Sequence, residues 1–228
     1  MVFAVNDATS PLKGARVSAR IYDRLLKLVK TDQWSLTVPA DGHRSAEHSL
    51  QYTIPASTPD GYFFLDLTLA DSSGKILSRQ AYWLRLLKSL TDPAERKKRE
   101  IDPIAEPQNQ KGPWLKPQLE SLPTSLKAAL LSVETTGAEA EIHISIKNSG
   151  SLSAYPVRLT VAPDLYPVLW SDNYFMLAPG ESRQISGTVR LDLKGIDPIK
   201  NPPIAKTENL TVEVSAWNAK AIKVMQAK

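Results

Sequence analysis

Three histidines (His43, His48, His143) leave little from which a histidine metal site or a hydrolase triad could be built, and there is no cysteine. Zero cysteine excludes disulfides, thiolate zinc sites, iron–sulfur clusters and thiol catalysis. No HExxH, GxSxG, glycine-rich phosphate loop or DxDxDG run occurs. The nearest approach to a ligand set is Asp41-Gly42-His43 with Glu47-His48, and its polar setting reads as a solvated turn. His143 falls out of phase with an alternating isoleucine row, which predicts an exposed or edge histidine. A glycosidase needs two carboxylates opposed across a bond. Here Asp41, Asp60, Asp71, Asp164 and Asp197 sit at turns, where the carboxylate bonds nearby backbone amides. No catalytic residue, metal ligand or cofactor site is assigned. The sequon Asn209-Leu210-Thr211 is too short a match to carry weight.

Aromatic side chains are the remaining chemistry, because a flat indole suits the C–H face of a sugar. Trp83 and Trp217 are expected to pack in cores or between domains. Trp114, in Gly112-Pro113-Trp114-Leu115, is a candidate anchor for a proline-rich linker. The segment from Tyr166 to Phe175 is aromatic-rich and polar-tipped. That composition suits a binding loop and equally a packed sandwich corner. Its candidates are Trp170, Asp172, Asn173 and Tyr174, as a carbohydrate-facing loop.

The elements that must position these residues are strands. Six of the 17 prolines fall in residues 88–123, a density that opposes regular structure apart from one helical turn over Asp92–Arg99. Before this stretch, alternation puts Val17, Ala19 and Ile21 on one face, Leu50, Tyr52 and Ile54 on another, and Phe63, Leu65, Leu67 and Leu69 on a third. Asp32-Gln33 is expected to separate two strands, and Asp71-Ser72-Ser73-Gly74 to turn a hairpin. After it, Ala140, Ile142, Ile144 and Ile146 share a face, as do Val157, Leu159 and Val161, and Leu210–Trp217 supplies a last strand. The fold class is all-β: two immunoglobulin-like antiparallel β-sandwiches, residues 1–88 (about seven strands) and 124–228, joined by a linker over 89–123.

The net charge of +4 divides into +3, 0 and +1 over those three segments, so none carries the basic footprint of a nucleic-acid module. The dense cluster Arg96-Lys97-Lys98-Arg99 is flanked by Glu95, Glu100 and Asp102 and reads as a solvated run. No apolar run approaches the ~20 residues of a membrane-spanning helix. Met1 is not followed by the charged and long apolar regions of a signal peptide, and the compartment stays open, periplasm and cell exterior included for a parent protein.

The run Trp170-Ser-Asp-Asn-Tyr-Phe-Met-Leu-Ala-Pro-Gly-Glu181 resembles a stretch in the last β-sandwich of glycoside hydrolase family 2 enzymes, in the β-mannosidase and exo-β-D-glucosaminidase branch. Ile146-Lys-Asn-Ser-Gly-Ser-Leu-Ser-Ala-Tyr-Pro-Val-Arg-Leu159 is similar to the strand pair before it. Val5-Asn6-Asp7, Ala19–Asp23, Gly74–Leu84 and Leu119–Pro123 resemble the preceding sandwich and linker, in the right order. In that family the two catalytic glutamates lie in a (β/α)8 barrel, which needs ~200 residues or more. The resemblance therefore implies the post-barrel part of such an enzyme, starting in a strand as a cut-out piece would. Its implied work is to pack on the barrel and help frame the substrate entrance, with the Trp170–Tyr174 loop facing the barrel or the sugar. Alternatives are a pair of carbohydrate-binding sandwiches acting through Trp114 or Trp170, and a generic immunoglobulin-like interaction protein.

Overall fold

A computed structural model describes residues 2–45, 50–55, 57–59, 61–86, 115–162, 167–192 and 210–225. The chain forms two compact units, Met1–Gln118 and Leu119–Lys228. Trp114, the Asp92–Arg99 turn, the Arg96–Arg99 cluster and most of 89–123 lie outside the described residues.

In the first unit, β1 (Phe3–Asn6) pairs with β4 (Gly42–Ser45). A four-stranded antiparallel sheet has the order β3 (Leu28–Val38), β2 (Leu12–Tyr22), β5 (Gly61–Ala70), β6 (Ile76–Leu86). Its register sets Val17 opposite Leu69, Ala19 opposite Leu67 and Ile21 opposite Leu65, so two of the apolar rows read from sequence become one face. On the other face the half-buried Arg20 donates through Nε to Asp66 Oδ2 (3.0 Å), and Asp66 is only 2% exposed. The turns at Asp23 and Asp71 are built alike. Each Oδ1 accepts two backbone amides, from Leu25 and Lys27 in one and from Ser73 and Lys75 in the other. The Ser73 hydroxyl adds a bond that holds the Asp71 carboxyl below the usual range, assisted by the amides of Lys75, Ser73 and Gly74.

Three local expectations change. Asp32-Gln33 does not break a strand: β3 runs through it, with Asp32 opposite Ala19. As an edge strand β3 needs no burial there, and polar residues protect such an edge. Residues 50–55 form no strand, although Tyr52 meets Phe63 with ring centroids 6.5 Å apart. A helix, α1 (Leu115–Glu120), forms inside the proline-rich stretch. Pro117 sits in its first turn, where a backbone donor has no intrahelical partner to lose. Gln118, where the first unit ends, is fixed within that unit by its side chain. Its Oε1 accepts the Tyr62 amide (2.9 Å), and its Nε2 donates to the Arg24 carbonyl (3.0 Å) and the Tyr62 carbonyl (3.2 Å).

The second unit is a sandwich of two four-stranded antiparallel sheets. One has the order β10 (Val168–Trp170), β12 (Ser182–Arg190), β8 (Glu139–Asn148), β7 (Leu126–Thr136). The other has the order β11 (Phe175–Leu177), β9 (Ala154–Ala162), β13 (Thr211–Ala216), β14 (Ala219–Met225). Ala140, Ile142, Ile144 and Ile146 of β8 meet Val157, Leu159 and Val161 of β9 and Val212 and Val214 of β13 in one core. Burying each of the larger side chains is worth about 1.5–3 kcal/mol. The last strand is β14, not the segment ending at Trp217. Trp217-Asn218 is a turn, and Ile222 and Val224 of β14 pack against the core. The all-β, immunoglobulin-like reading holds.

Candidate functional site

The loop from Trp170 to Glu181 is organised around an arginine that strand periodicity points inward. On β12, Arg183, Ile185, Gly187 and Val189 are buried and Ser182, Gln184 and Arg190 are exposed. The Arg183 side chain is 5% exposed, so its charge must find acceptors inside the protein. It does so three ways. Nη1 donates to Asp172 Oδ2 (3.1 Å), Nε to Glu181 Oε1 (3.1 Å) and Nη2 to the Met176 carbonyl (2.7 Å). The guanidinium carbon lies 4.5 Å above the centre of the Phe175 ring, a cation–π arrangement. Glu181 in turn accepts the Ala178 amide through Oε2 (3.0 Å) and closes the Ala178–Glu181 turn.

Asn173 serves the backbone of β9. Its Oδ1 accepts the Leu159 amide (2.9 Å) and its Nδ2 donates to the Leu159 carbonyl (3.1 Å), which imitates a strand partner ahead of β11. The same oxygen accepts the Tyr174 amide (3.0 Å). Tyr174 is left at φ +59° with its side chain 57% exposed. A bulky residue in the left-handed region is an outlier that costs on the order of 1 kcal/mol or more. Trp170 is half-buried against the core, and a Cβ added at Gly187 on the paired strand would overlap its six-membered ring. Leu169 beside it is 81% exposed. Of the four residues read from sequence, Asp172 and Asn173 are hydrogen-bonded into the fold, Trp170 lies against Gly187, and Tyr174 faces solvent.

Sequence reasoning missed two features. The first is Arg183, whose signal was an arginine in the inward phase of β12. The second is a groove of about 600 Å³ in the second unit, beside Trp217. Trp217 is 42% exposed at the turn between β13 and β14, so of the two expectations, core or interdomain packing, the first does not hold for it. Trp83 is likewise 54% exposed on β6. His143 is half-buried on the outer face of β8, its Nε2 3.4 Å from Glu141 Oε1. Burial pushes the Tyr155 phenol up to about 12, so it stays protonated at neutral pH and offers no base there. Of the Asp41-Gly42-His43 run only Asp41 lies in a turn, and Gly42 and His43 open β4 and pair with β1, while Glu47 and His48 lie outside the described residues. Among the described residues no three potential metal-ligating His, Cys, Asp or Glu side chains converge.

Residues 117–219 match the family described as the exo-β-D-glucosaminidase Ig-fold domain. An exo-β-D-glucosaminidase from Streptomyces avermitilis is 29% identical over 228 residues, covering 95% of this chain and 23% of its own length. One from Hypocrea virens is 26% identical over 203 residues, covering 81% of this chain and 20% of its own. The chain thus spans between a fifth and a quarter of these curated relatives. Among solved structures, the Amycolatopsis orientalis exo-chitosanase CsxA superposes with a TM-score of 0.69 at 21% identity, over 98% of this chain and 25% of that one. A β-D-mannosidase from Dictyoglomus thermophilum does so at 0.51 and 14% identity, over 96% and 20%. These two likenesses concern the fold.

Proposed function

We propose, on the premise that residues 117–219 are an exo-β-D-glucosaminidase Ig-fold domain of glycoside hydrolase family 2 type, that this chain is a non-catalytic accessory region of an exo-glycosidase acting on β-glucosaminides or β-mannosides. It packs on the catalytic barrel of the parent polypeptide and helps frame the substrate entrance. The observation that carries this reading is the use made of the matched domain's distinctive run. Asp172, Asn173, Phe175 and Glu181 serve Arg183 and the β9 backbone, which is structural work. The large side chain that the run presents outward is Tyr174. A tyrosine exposed between two strands suits a contact with a neighbouring domain, because its ring gives area at little cost in ordering.

Two measurements test the reading. The purified chain is expected to release no nitrophenol from p-nitrophenyl β-D-glucosaminide or β-D-mannoside above the spontaneous rate. Saturable, enzyme-like turnover would overturn it. In the longer polypeptide that joins these residues to a barrel, Tyr174→Ser is expected to lower kcat/KM or the barrel's melting temperature severalfold or by several degrees. Unchanged values for both would remove the framing role.

A further inference from the structure

The outer face of the sheet that holds β7, β8 and β12 is polarised along its strands. Register sets Lys127 opposite Lys147 at one end of the β7–β8 pair and Glu134 opposite Glu141 at the other. All four side chains are exposed. Like charges directly opposite each other on neighbouring strands destabilise a sheet. Exchanging one of these lysines with one of the glutamates would have made two cross-strand ion pairs instead. Among the described residues neither lysine has a carboxylate partner. The acidic end is continued by Glu139, whose cross-strand neighbour Arg190 already holds Asp192 (2.8 Å). Between the two ends stand Ala129, Ser132, Ser145 and Ser186, small side chains that let another surface come close, with His143 half-buried among them. The extra residue at the β7 irregularity, Leu131, is half exposed.

We infer that this face is an interface between two copies of the chain, related by a twofold axis that crosses the strands near Ile144. Ile144 lies midway between Lys147 and Glu141, and its register partner Leu130 lies close to midway between Lys127 and Glu134. Rotation about that axis therefore sets the lysine end of each copy over the glutamate end of the other. A face polarised in this way is complementary to itself turned end for end, and each like-charge pair meets an opposite pair, twice over. Leu131 comes to lie beside its copy near the axis. The three strands, about 4.8 Å apart and about ten residues long, present on the order of 500 Å² a side, the low end for a specific interface. The dimer is accordingly weak, and salt screens the attraction that orients it. The inference does not rest on the accessory reading, since it concerns the isolated chain.

The test is sedimentation velocity of the whole chain at neutral pH. At low salt a monomer–dimer equilibrium is expected with a Kd on the order of 100 µM. Raising sodium chloride to about 0.5 M should weaken it at least tenfold. Lys127→Glu with Lys147→Glu makes both ends of the face acidic, and Glu134→Lys with Glu141→Lys makes both ends basic. Each double variant alone is expected to be monomeric while keeping a cooperative unfolding transition, and an equimolar mixture of the two should form a heterodimer. A parent chain that stays monomeric at low salt up to about 1 mM overturns the interface. A dimer that salt leaves unchanged, or that either double variant retains, overturns its placement on this face. Two folded double variants that fail to associate with each other overturn the end-for-end pairing.

Discussion

Arg183 keeps a charge in the second unit's interior because two carboxylates, one carbonyl and one ring surround it. Removing the arginine leaves Asp172 and Glu181, 28% and 19% exposed, without their cation, which costs less than the roughly 3–5 kcal/mol of a fully buried pair. Arg183→Met is therefore expected to lower unfolding stability by about 2–3 kcal/mol in urea, because Asp172 and Glu181 stay behind. Arg183→Lys keeps the charge but loses the planar fork, and should fall between the two. A loss below about 1 kcal/mol for Arg183→Met would mean the cluster is solvated and not structural. At this scale the sequence was only half legible. Asp172 and Asn173 stood out as polar residues in an aromatic loop. That Asp172 faces an arginine eleven positions later on another strand, and Asn173 the backbone of β9, depends on how β9, β10, β11 and β12 are brought together, which no local pattern encodes. The inward phase of Arg183 was readable, since Ile185 and Val189 share it.

Strands were legible where one face is buried and the other is wet. β8 and β12 alternate cleanly, as does β9 from Val157 on, each flanked on both sides, and the apolar rows read in β8 and β9 lie in the core. Edges were harder. β3 carries Asp32 and Gln33 without breaking, and β14 hides behind lysines that point outward from an edge. α1 was illegible because proline density is a signal against helix, while the position of a single proline within a turn decides the outcome. Gly187 shows how one element shapes its neighbour. The missing side chain on β12 is what lets Trp170 of β10 lie down against the core. Gly187→Ala is expected to lift the indole and destabilise the second unit by about 1–3 kcal/mol, with a change in Trp170 emission. The obstacle is a ring locked by its own strand, not the free end of a flexible chain. A neutral substitution would show that Trp170 moves without cost and that its half-burial is incidental to the fold.

At the scale of the molecule, the place where one unit stops and the other starts follows from where side chains and backbone are tied, more than from proline content. Gln118 is bound to Tyr62 and Arg24. Four residues on, the Leu122 carbonyl accepts Asn218 Nδ2, the Thr124 amide donates to the Asn218 carbonyl, and Ser149 donates to the Ser125 carbonyl (2.8 Å). Thr124 Oγ1 reaches Asn148 Oδ1 (3.1 Å) and the Leu152 carbonyl (2.8 Å). Asn148 spends its amide on the Leu152 and Leu177 carbonyls. Residues 122–125 thus lock the two buried asparagines that brace this end of the sandwich. A fragment beginning at Leu119 keeps the whole arrangement and is expected to unfold cooperatively in urea, since its core cluster is complete within the unit. One beginning at Lys127 loses about five hydrogen bonds at roughly 0.5–1.5 kcal/mol each, a large share of the 5–15 kcal/mol a domain commonly has. Its midpoint should fall sharply or its transition broaden. Equal midpoints for the two fragments would mean that residues 119–126 are a tether only. In that case the Asn218 turn would have to be held from the sandwich side alone.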